Sequence, residues 1–374
     1  MTSITENDVL QALSTVIDPE LDRSLTELDM VKSVRIEGAD VYVTILLTIA
    51  GCPLQGTLVA DSIAAIKKIP GVENAYVDTE AMTDEQRKEL RLKLRGSEPV
   101  IPFAQPDSTT RVLAVASGKG GVGKSSVTVN LATALAARGL NVGILDADIY
   151  GHSIPQMVGD HDGPHQVDEM IMPPICHGVK IISIGQFVKG NSPVIWRGPM
   201  LHRAIQQFLT DVFWGDLDVL LLDLPPGTGD VAISVAQLIP GAELLIVTTP
   251  QAAAAEVAER AGSISQQTRQ RIAGVIENMS AMVMPDGSRM EIFGAGGGQT
   301  VADRLSQITG ATIPLLGSIP LDPTLRTGGD SGTPVAIAQP DSPAGKELNA
   351  IADKLVQRKD SLLGKTLGLG VTRK

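Results

Sequence analysis

The stretch Ser117 to Ser126, SGKGGVGKSS, constrains this chain more than any other. Gly118, four intervening residues, Gly123, Lys124 and Ser125 fill the G-x-x-x-x-G-K-[ST] pattern of a phosphate-cradling loop. Gly118, Gly120, Gly121 and Gly123 let the backbone bend so that successive N–H groups, with those of Val122 and Ser126 among them, face one anion. Lys124 then reaches β- and γ-phosphates, and the Ser125 hydroxyl ligates Mg²⁺. The flanks fit this reading. RVLAVAS (111–117) reads as a buried strand, and Ser125 to Arg138 reads as a helix stopped by Gly139, with its N-terminus aimed at the phosphates.

At 374 residues the chain is long enough for two or three domains with ample core. Aromatic residues make up only 3%, so Val, Ile, Leu and Ala must fill that core. A net charge of −11 argues against nucleic acid or an anionic membrane as the main partner. The start, MTSITENDVL, lacks the basic-then-apolar layout of a signal peptide, and no apolar run approaches a membrane span, so the expected location is the cytoplasm. The two cysteines, Cys52 and Cys176, are far apart and read as reduced thiols.

Taken in order, residues 1–95 form a small α+β unit with the succession α-β-β-α-β. Thr5-Glu-Asn-Asp8 resembles a capping box, and Val9, Leu13, Val16 and Ile17 make an apolar stripe. Runs at 31–37 and 41–49 turn about Gly38-Ala-Asp40, a helical stretch runs to Ile69, and a strand covers 72–78; the unit is large enough to fold alone. A charged helix, Thr83 to Arg95, leads into a proline-bearing linker, 96–109. From 110 to 357, apolar runs at 112–116, 142–145, 179–184, 219–222, 244–248, 272–276 and 313–319 alternate with helix-length spacers. This predicts an α/β domain with a mostly parallel, doubly wound sheet of the P-loop NTPase type. Residues 358–374 read as a loose tail.

Ligands of such sheets sit beyond the carboxyl ends of the strands. Asp223 ends DVLLLD, and LPPGTGD follows it, the expected form of a Mg²⁺-side carboxylate with a switch segment that senses the γ-phosphate. Asp146 and Asp148 end NVGILDAD and flank the phosphates if that strand pairs beside the loop strand, where one of them orients the attacking water. Lys119 adds a second lysine to the loop. Its reading is a reach across a dimer interface onto the partner's nucleotide.

Cys52 precedes Pro53, a residue suited to a first helical position. That puts the thiol at a helix N-terminus, which favours thiolate, or else makes it a small buried residue in a tight turn. The acidic turn Asp18-Pro19-Glu20 is a solvated turn, or a wall of the same site if folding brings it near Cys52.

Taken together, KGGVGKS, DADIYG (146–151), WRGPM (196–200), DLPPGTGD (223–230) and ENMS (277–280) resemble the Mrp family of deviant-Walker ATPases, iron–sulfur cluster carriers related to ParA- and MinD-type proteins. DPE (18–20) and LTIAGCPL (47–54) are similar to the iron–sulfur-assembly domain often fused ahead of that ATPase. The resemblance implies an ATP-hydrolysing carrier with slow turnover that acts as a homodimer and serves apo iron–sulfur and cluster scaffold proteins. It also implies Lys119 as the intersubunit lysine, Lys124 and Ser125 on phosphate and Mg²⁺, Asp148 near the water, Asp223 on the metal side and Asn278 near the adenine edge.

One departure stands out. Family members that bridge a [4Fe–4S] cluster carry C-x-x-C soon after ENMS, whereas 281–291 here has no cysteine. Met282, Met284 and Met290 read as packing or interface residues. Cys52 is left as the cluster-ligand candidate, Cys176 beside His177 reads as a half-buried thiol, and His152, His161 and His165 show no regular ligand spacing. The second functional reading is a ParA- or MinD-like nucleotide switch or positioning scaffold without a cluster.

Overall fold

The computed structural model describes residues 4–357 apart from 50, 51, 53, 96–99, 149, 150, 152, 161, 168, 169, 188–197, 228, 252, 253 and 285. Expectations placed on Gly51, Pro53, His152, His161, Trp196, Arg197 and the 358–374 tail therefore lie outside the described residues.

The first helix, α1 (Glu6–Leu13), is opened by the capping box: Thr5 Oγ1 accepts the Asp8 N–H at 3.3 Å, and the Asp8 carboxylate accepts the Thr5 N–H at 2.9 Å. Val9, Leu13 and Val16 are buried, but Ile17, placed on the same stripe by its spacing, is 47% exposed. The helix ends at Leu13, and Ile17 belongs instead to a short pairing of Ile17–Asp18 with Arg23–Ser24. Strands β1 (Val31–Glu37) and β2 (Asp40–Leu47) pair antiparallel about Gly38, whose φ of +65° suits glycine. Helix α2 (Gln55–Ile66) returns the chain so that β3 (Asn74–Ala81) lies parallel to β2, and α3 (Asp84–Arg95) follows. Val41, Val43 and Ile45 face the core, while Asp40, Tyr42 and Thr44 alternate toward solvent.

The larger unit is built on β4 (Arg111–Ser117), α4 (Lys124–Ala136), β5 (Val142–Asp146), β6 (Val179–Ser183), α5 (Gly198–Asp211), β7 (Val219–Asp223), α6 (Asp230–Leu238), β8 (Glu243–Thr248), α7 (Ala254–Thr268), β9 (Ile272–Asn278), α8 (Gly297–Thr309), β10 (Leu315–Ile319), α9 (Pro323–Ser331) and α10 (Pro343–Gln357). Strands β6-β5-β7-β4-β8-β9-β10 lie parallel in that order, and Ile175–Cys176 adds a short antiparallel edge to β6. Val112 and Ala114 of β4 point into the core beneath α5, α6, α7 and α8; Leu113 and Val115 point into the one beneath α4 and α10. Burial on both faces is why each strand reads as an unbroken apolar run. Among the described residues, no helix is long and apolar enough to cross a membrane.

The two units share a core. Val167, Met170 and Met172 of the hairpin at 165–172, all 0% exposed, and Phe213 pack into the cluster formed by Val9, Leu13, Val43 and Cys52. Polar contacts reinforce this seam: the buried Lys180 ammonium donates to the carbonyls of Trp214 (3.0 Å) and Glu20 (3.4 Å), and His165 Nε2 lies 3.2 Å from the Glu20 carboxylate.

Candidate nucleotide site

The loop between β4 and α4 leaves the central strand at its carboxyl end. Gly121 and Gly123 both take φ of +78°, the left-handed conformation that glycine adopts without a Cβ penalty. Gly118 is fixed for a different reason, since a Cβ there would stand 2.7 Å from Val257. Among the described residues, no backbone amide from Gly120 to Ser126 donates to a protein acceptor. Unpaired N–H groups of this kind around a positive-φ bend form an anion cradle.

Beneath the cradle, three side chains converge on Asp223. Lys124 Nζ lies 2.7 Å from Asp223 Oδ2, with the two side chains 6% and 0% exposed. Ser125 Oγ donates to the same oxygen at 2.6 Å, and Thr128 Oγ1 donates to Oδ1 at 2.8 Å. Thr128 is a site residue the sequence reading missed. Its signal is its position one helical turn beyond Lys124, which puts both on one face of α4.

The strand order corrects the expectation for Asp146 and Asp148. β5 does not pair beside the loop strand; β7 lies between them, and Asp146 is the register partner of Asp223. The Asp146 carboxylate accepts from Ser183 Oγ at 2.8 Å and from the Asp148 N–H at 3.1 Å, and Asp148 Oδ1 accepts the Gly151 N–H at 3.1 Å. Burial, with the neighbouring Asp223 carboxylate, pushes Asp146 up to about 7 against the pull of these donors and of Lys124. A carboxylate whose folded pKa exceeds its unfolded value stabilises the fold below the unfolded value and loses that contribution as pH rises through the folded one. The unliganded protein is therefore expected to lose thermal stability between about pH 4 and 7, and Asp146→Asn to flatten that fall. Melting curves of both proteins across that range check it; parallel curves contradict it.

Lys119 is half-buried, and its ammonium bonds the Gln251 side-chain oxygen of its own chain. Arg260 Nη1 steadies the loop by donating to the Gly118 carbonyl at 3.2 Å, and the Gly227 N–H of the segment after β7 donates to the Ser117 carbonyl at 2.9 Å. Asn278, at the end of β9, donates from Nδ2 to the Val122 carbonyl at 2.8 Å, while its buried Oδ1 has no protein partner. It borders a cavity of about 420 Å³ beside the loop, lined also by Ser126, Met279, Leu321, Asp322 and Arg326.

Cys52 belongs to the other core. Helix α2 begins at Gln55, later than the proline signal implied, with Leu54 at its N-cap. The Leu54 and Gln55 amides do favour the thiolate, but burial of a side chain only 7% exposed outweighs them, and the Glu20 and Asp18 carboxylates add to it. The thiol is pushed up, against the expectation from a helix N-terminus. The acidic turn is nonetheless a neighbour of Cys52. Cys176, half-buried, packs against the core beneath α4 and α10, and burial, then Asp160 and Asp162, push its thiol up to about 11. Among the described residues, no group of three or more His, Cys, Asp and Glu side chains is arranged to hold a metal ion.

A glycine-rich loop between a central parallel strand and its helix, with a lysine, a hydroxyl and a carboxylate converging beneath it, defines a P-loop NTPase. Residues 108–356 match the ParA family profile described as NUBPL iron-transfer P-loop NTPase, and the chain belongs to that family. Residues 6–77 match a second profile, iron-sulfur cluster assembly protein. The iron-sulfur cluster carrier protein of Mycobacterium bovis is 65% identical over 367 residues, 97% of this chain and 96% of that protein. The protein of the same name from Synechocystis is 42% identical over 360 residues, 94% of this chain and 97% of that one. A solved nucleotide-binding protein from Archaeoglobus fulgidus, in complex with ADP, is 37% identical with a TM-score of 0.52, covering 67% of this chain and 91% of its own.

Proposed function

We infer that this chain is an ATP-binding, ATP-hydrolysing iron–sulfur cluster carrier that delivers its cargo to apo-proteins. The observation that carries the reading is the convergence of Lys124, Ser125 and Thr128 on the buried Asp223 carboxylate beneath a loop of unpaired amides. The carrier name of relatives 65% identical over nearly the whole chain supports the cargo, and favours it over a positioning scaffold.

The roles follow from the chemistry. The amides from Gly118 to Ser126 and the Lys124 ammonium hold the phosphates, while the cavity at Asn278 receives the base, with the unpartnered Oδ1 as acceptor for an amino edge. Bound Mg²⁺ would neutralise phosphate charge, with Ser125 and Asp223, already hydrogen-bonded to one another, holding it. Asp148 is assigned to orient the attacking water because β5 ends in register with β7, which sets Asp146 and Asp148 at the same carboxyl edge of the sheet as Asp223. The protein works in the cytoplasm as a homodimer closed around nucleotide, with slow turnover, and meets apo iron–sulfur and cluster scaffold proteins there.

In the dimer Lys119 leaves Gln251 and crosses to the partner's phosphates. Lys119→Ala then lowers turnover at least tenfold while nucleotide affinity changes less than threefold, because the lost contact acts on transition-state charge. Mixing Lys119→Ala with Lys124→Ala protein tests the crossing. Mixed dimers no different in activity from the average of their parents would sink it.

Cys52 is the protein ligand for the cargo. A [4Fe–4S] cluster is held by four thiolates, and Cys52 and Cys176 lie in separate cores, so ligation by this chain is incomplete and the cluster labile. Anaerobic reconstitution with iron and sulfide is expected to give a labile visible absorption band in wild type that Cys52→Ala loses and Cys176→Ala keeps. A stable cluster in Cys52→Ala removes the Cys52 assignment, and no cluster in any protein removes the carrier reading.

A further inference from the structure

The segment after β9 carries three methionines in nine residues, and the fold gathers them. Met282–Val283 pairs antiparallel with Arg289–Met290, with Met282 opposite Met290. The Met284 N–H donates to the Ser288 carbonyl at 2.9 Å, and the Gly287 N–H closes the turn onto the Met284 carbonyl at 2.9 Å, with Gly287 at φ +83°. Directly opposite residues of an antiparallel pair share a face, with Cβ atoms about 4.5–5.5 Å apart, and residues i and i+2 share it too. Met282, Met284 and Met290 therefore project from one side of the hairpin.

The hairpin base is anchored: the Ser280 N–H donates to the Ile319 carbonyl at 2.9 Å and the Leu321 N–H to the Ala281 carbonyl at 3.0 Å. Met282 and Met284 are half-buried, whereas Met290 is 51% exposed, so the cluster is held from below and open from above. Asp286, Arg289 and Glu291 are exposed close by in sequence, so the hairpin's side-chain charge is negative by one in balance, and the Asp286 carboxylate accepts from the Ser288 N–H and hydroxyl.

We propose that Met282, Met284 and Met290 form a thioether site for a soft monovalent cation, copper(I). Three neutral sulfurs suit a soft d¹⁰ ion and discriminate against Mg²⁺ and Zn²⁺, which prefer oxygen, nitrogen or thiolate donors. The site is separate from the phosphate loop and from Cys52, and it does not depend on the carrier reading.

Silver(I) is a redox-inert probe for it. In the full chain labelled with ¹³C on the methyl groups of its 11 methionines, the resonances of Met282, Met284 and Met290, assigned by single Met→Leu variants, should shift together. Saturation is expected at one equivalent beyond the two taken by the two thiols. Leucine conserves volume, so the double variant Met282→Leu, Met290→Leu should keep its circular dichroism, lose the Met284 shift and bind silver at least tenfold more weakly. The proposal is overturned if the three resonances stay fixed under a tenfold excess of silver, if Zn²⁺ moves them equally, or if the double variant keeps the Met284 shift.

Discussion

Lys124→Ala is expected to weaken Mg·ATP binding by roughly ten- to a hundredfold or more and to stop hydrolysis. The ammonium faces phosphate oxygens in a largely desolvated loop, where a charge-assisted hydrogen bond contributes about 1.5–3 kcal/mol, and tenfold in affinity corresponds to about 1.4 kcal/mol. A second effect falls on the unliganded protein. Asp223 is fully buried and pairs with Lys124 at 2.7 Å, so the variant leaves a buried carboxylate without its counter-charge beside Asp146. The nucleotide-free variant should therefore melt below wild type, and the deficit should shrink as pH falls below about 7, where Asp146 takes up a proton and one of the two adjacent buried charges is removed. Calorimetric titration with ATP, alongside melting at two pH values, checks both effects. Wild-type affinity in the variant would remove Lys124 from the phosphate site.

The next largest effect is expected at Gly123, and a neighbouring glycine provides its control. Both Gly121 and Gly123 have φ of +78°, so alanine at either carries a left-handed penalty of about 1–2 kcal/mol. At Gly121 a Cβ meets nothing within 4 Å, whereas at Gly123 it stands 2.3 Å from Asn278 Nδ2. That amide nitrogen holds the Val122 carbonyl at 2.8 Å, so Gly123→Ala must either displace Asn278 from the loop or shift the loop itself. Gly123→Ala should therefore bind ADP and ATP at least tenfold more weakly than Gly121→Ala, with both proteins folded by circular dichroism. Equal affinities would show that the contact between loop and Asn278 does not matter to the nucleotide.

How much was legible in advance depends on how local each feature is. The phosphate loop could be read because its glycines, lysine and serine act within ten consecutive residues, where spacing alone sets which amides can face an anion. The strands of the large sheet were legible because burial on both faces turns each into a short apolar run, and all seven runs fall in one sheet. The capping box at Thr5 and Asp8 formed as spaced. Ile17 was misplaced because its helix stops at Leu13, and apolar periodicity does not encode a stop.

The sequence by itself therefore determined the succession of strands and helices, the phosphate loop and the class of ligand that loop can hold, since these rest on backbone geometry and periodicity within short segments. The tertiary structure alone decided that β7 separates β5 from β4, which makes Asp146 a neighbour of Asp223 and not of the loop strand. It decided that Ser183 reaches Asp146, that Val167, Met170, Met172 and Phe213 complete the small unit's core, and that Met282 faces Met290. It also reversed the expected sign at Cys52, where the nearby amides favour thiolate and burial with Asp18 and Glu20 overrides them. The physical reason is common to all of these: desolvation, Coulomb interaction and side-chain packing act through space between residues far apart in the chain, and no local spacing records who those neighbours will be.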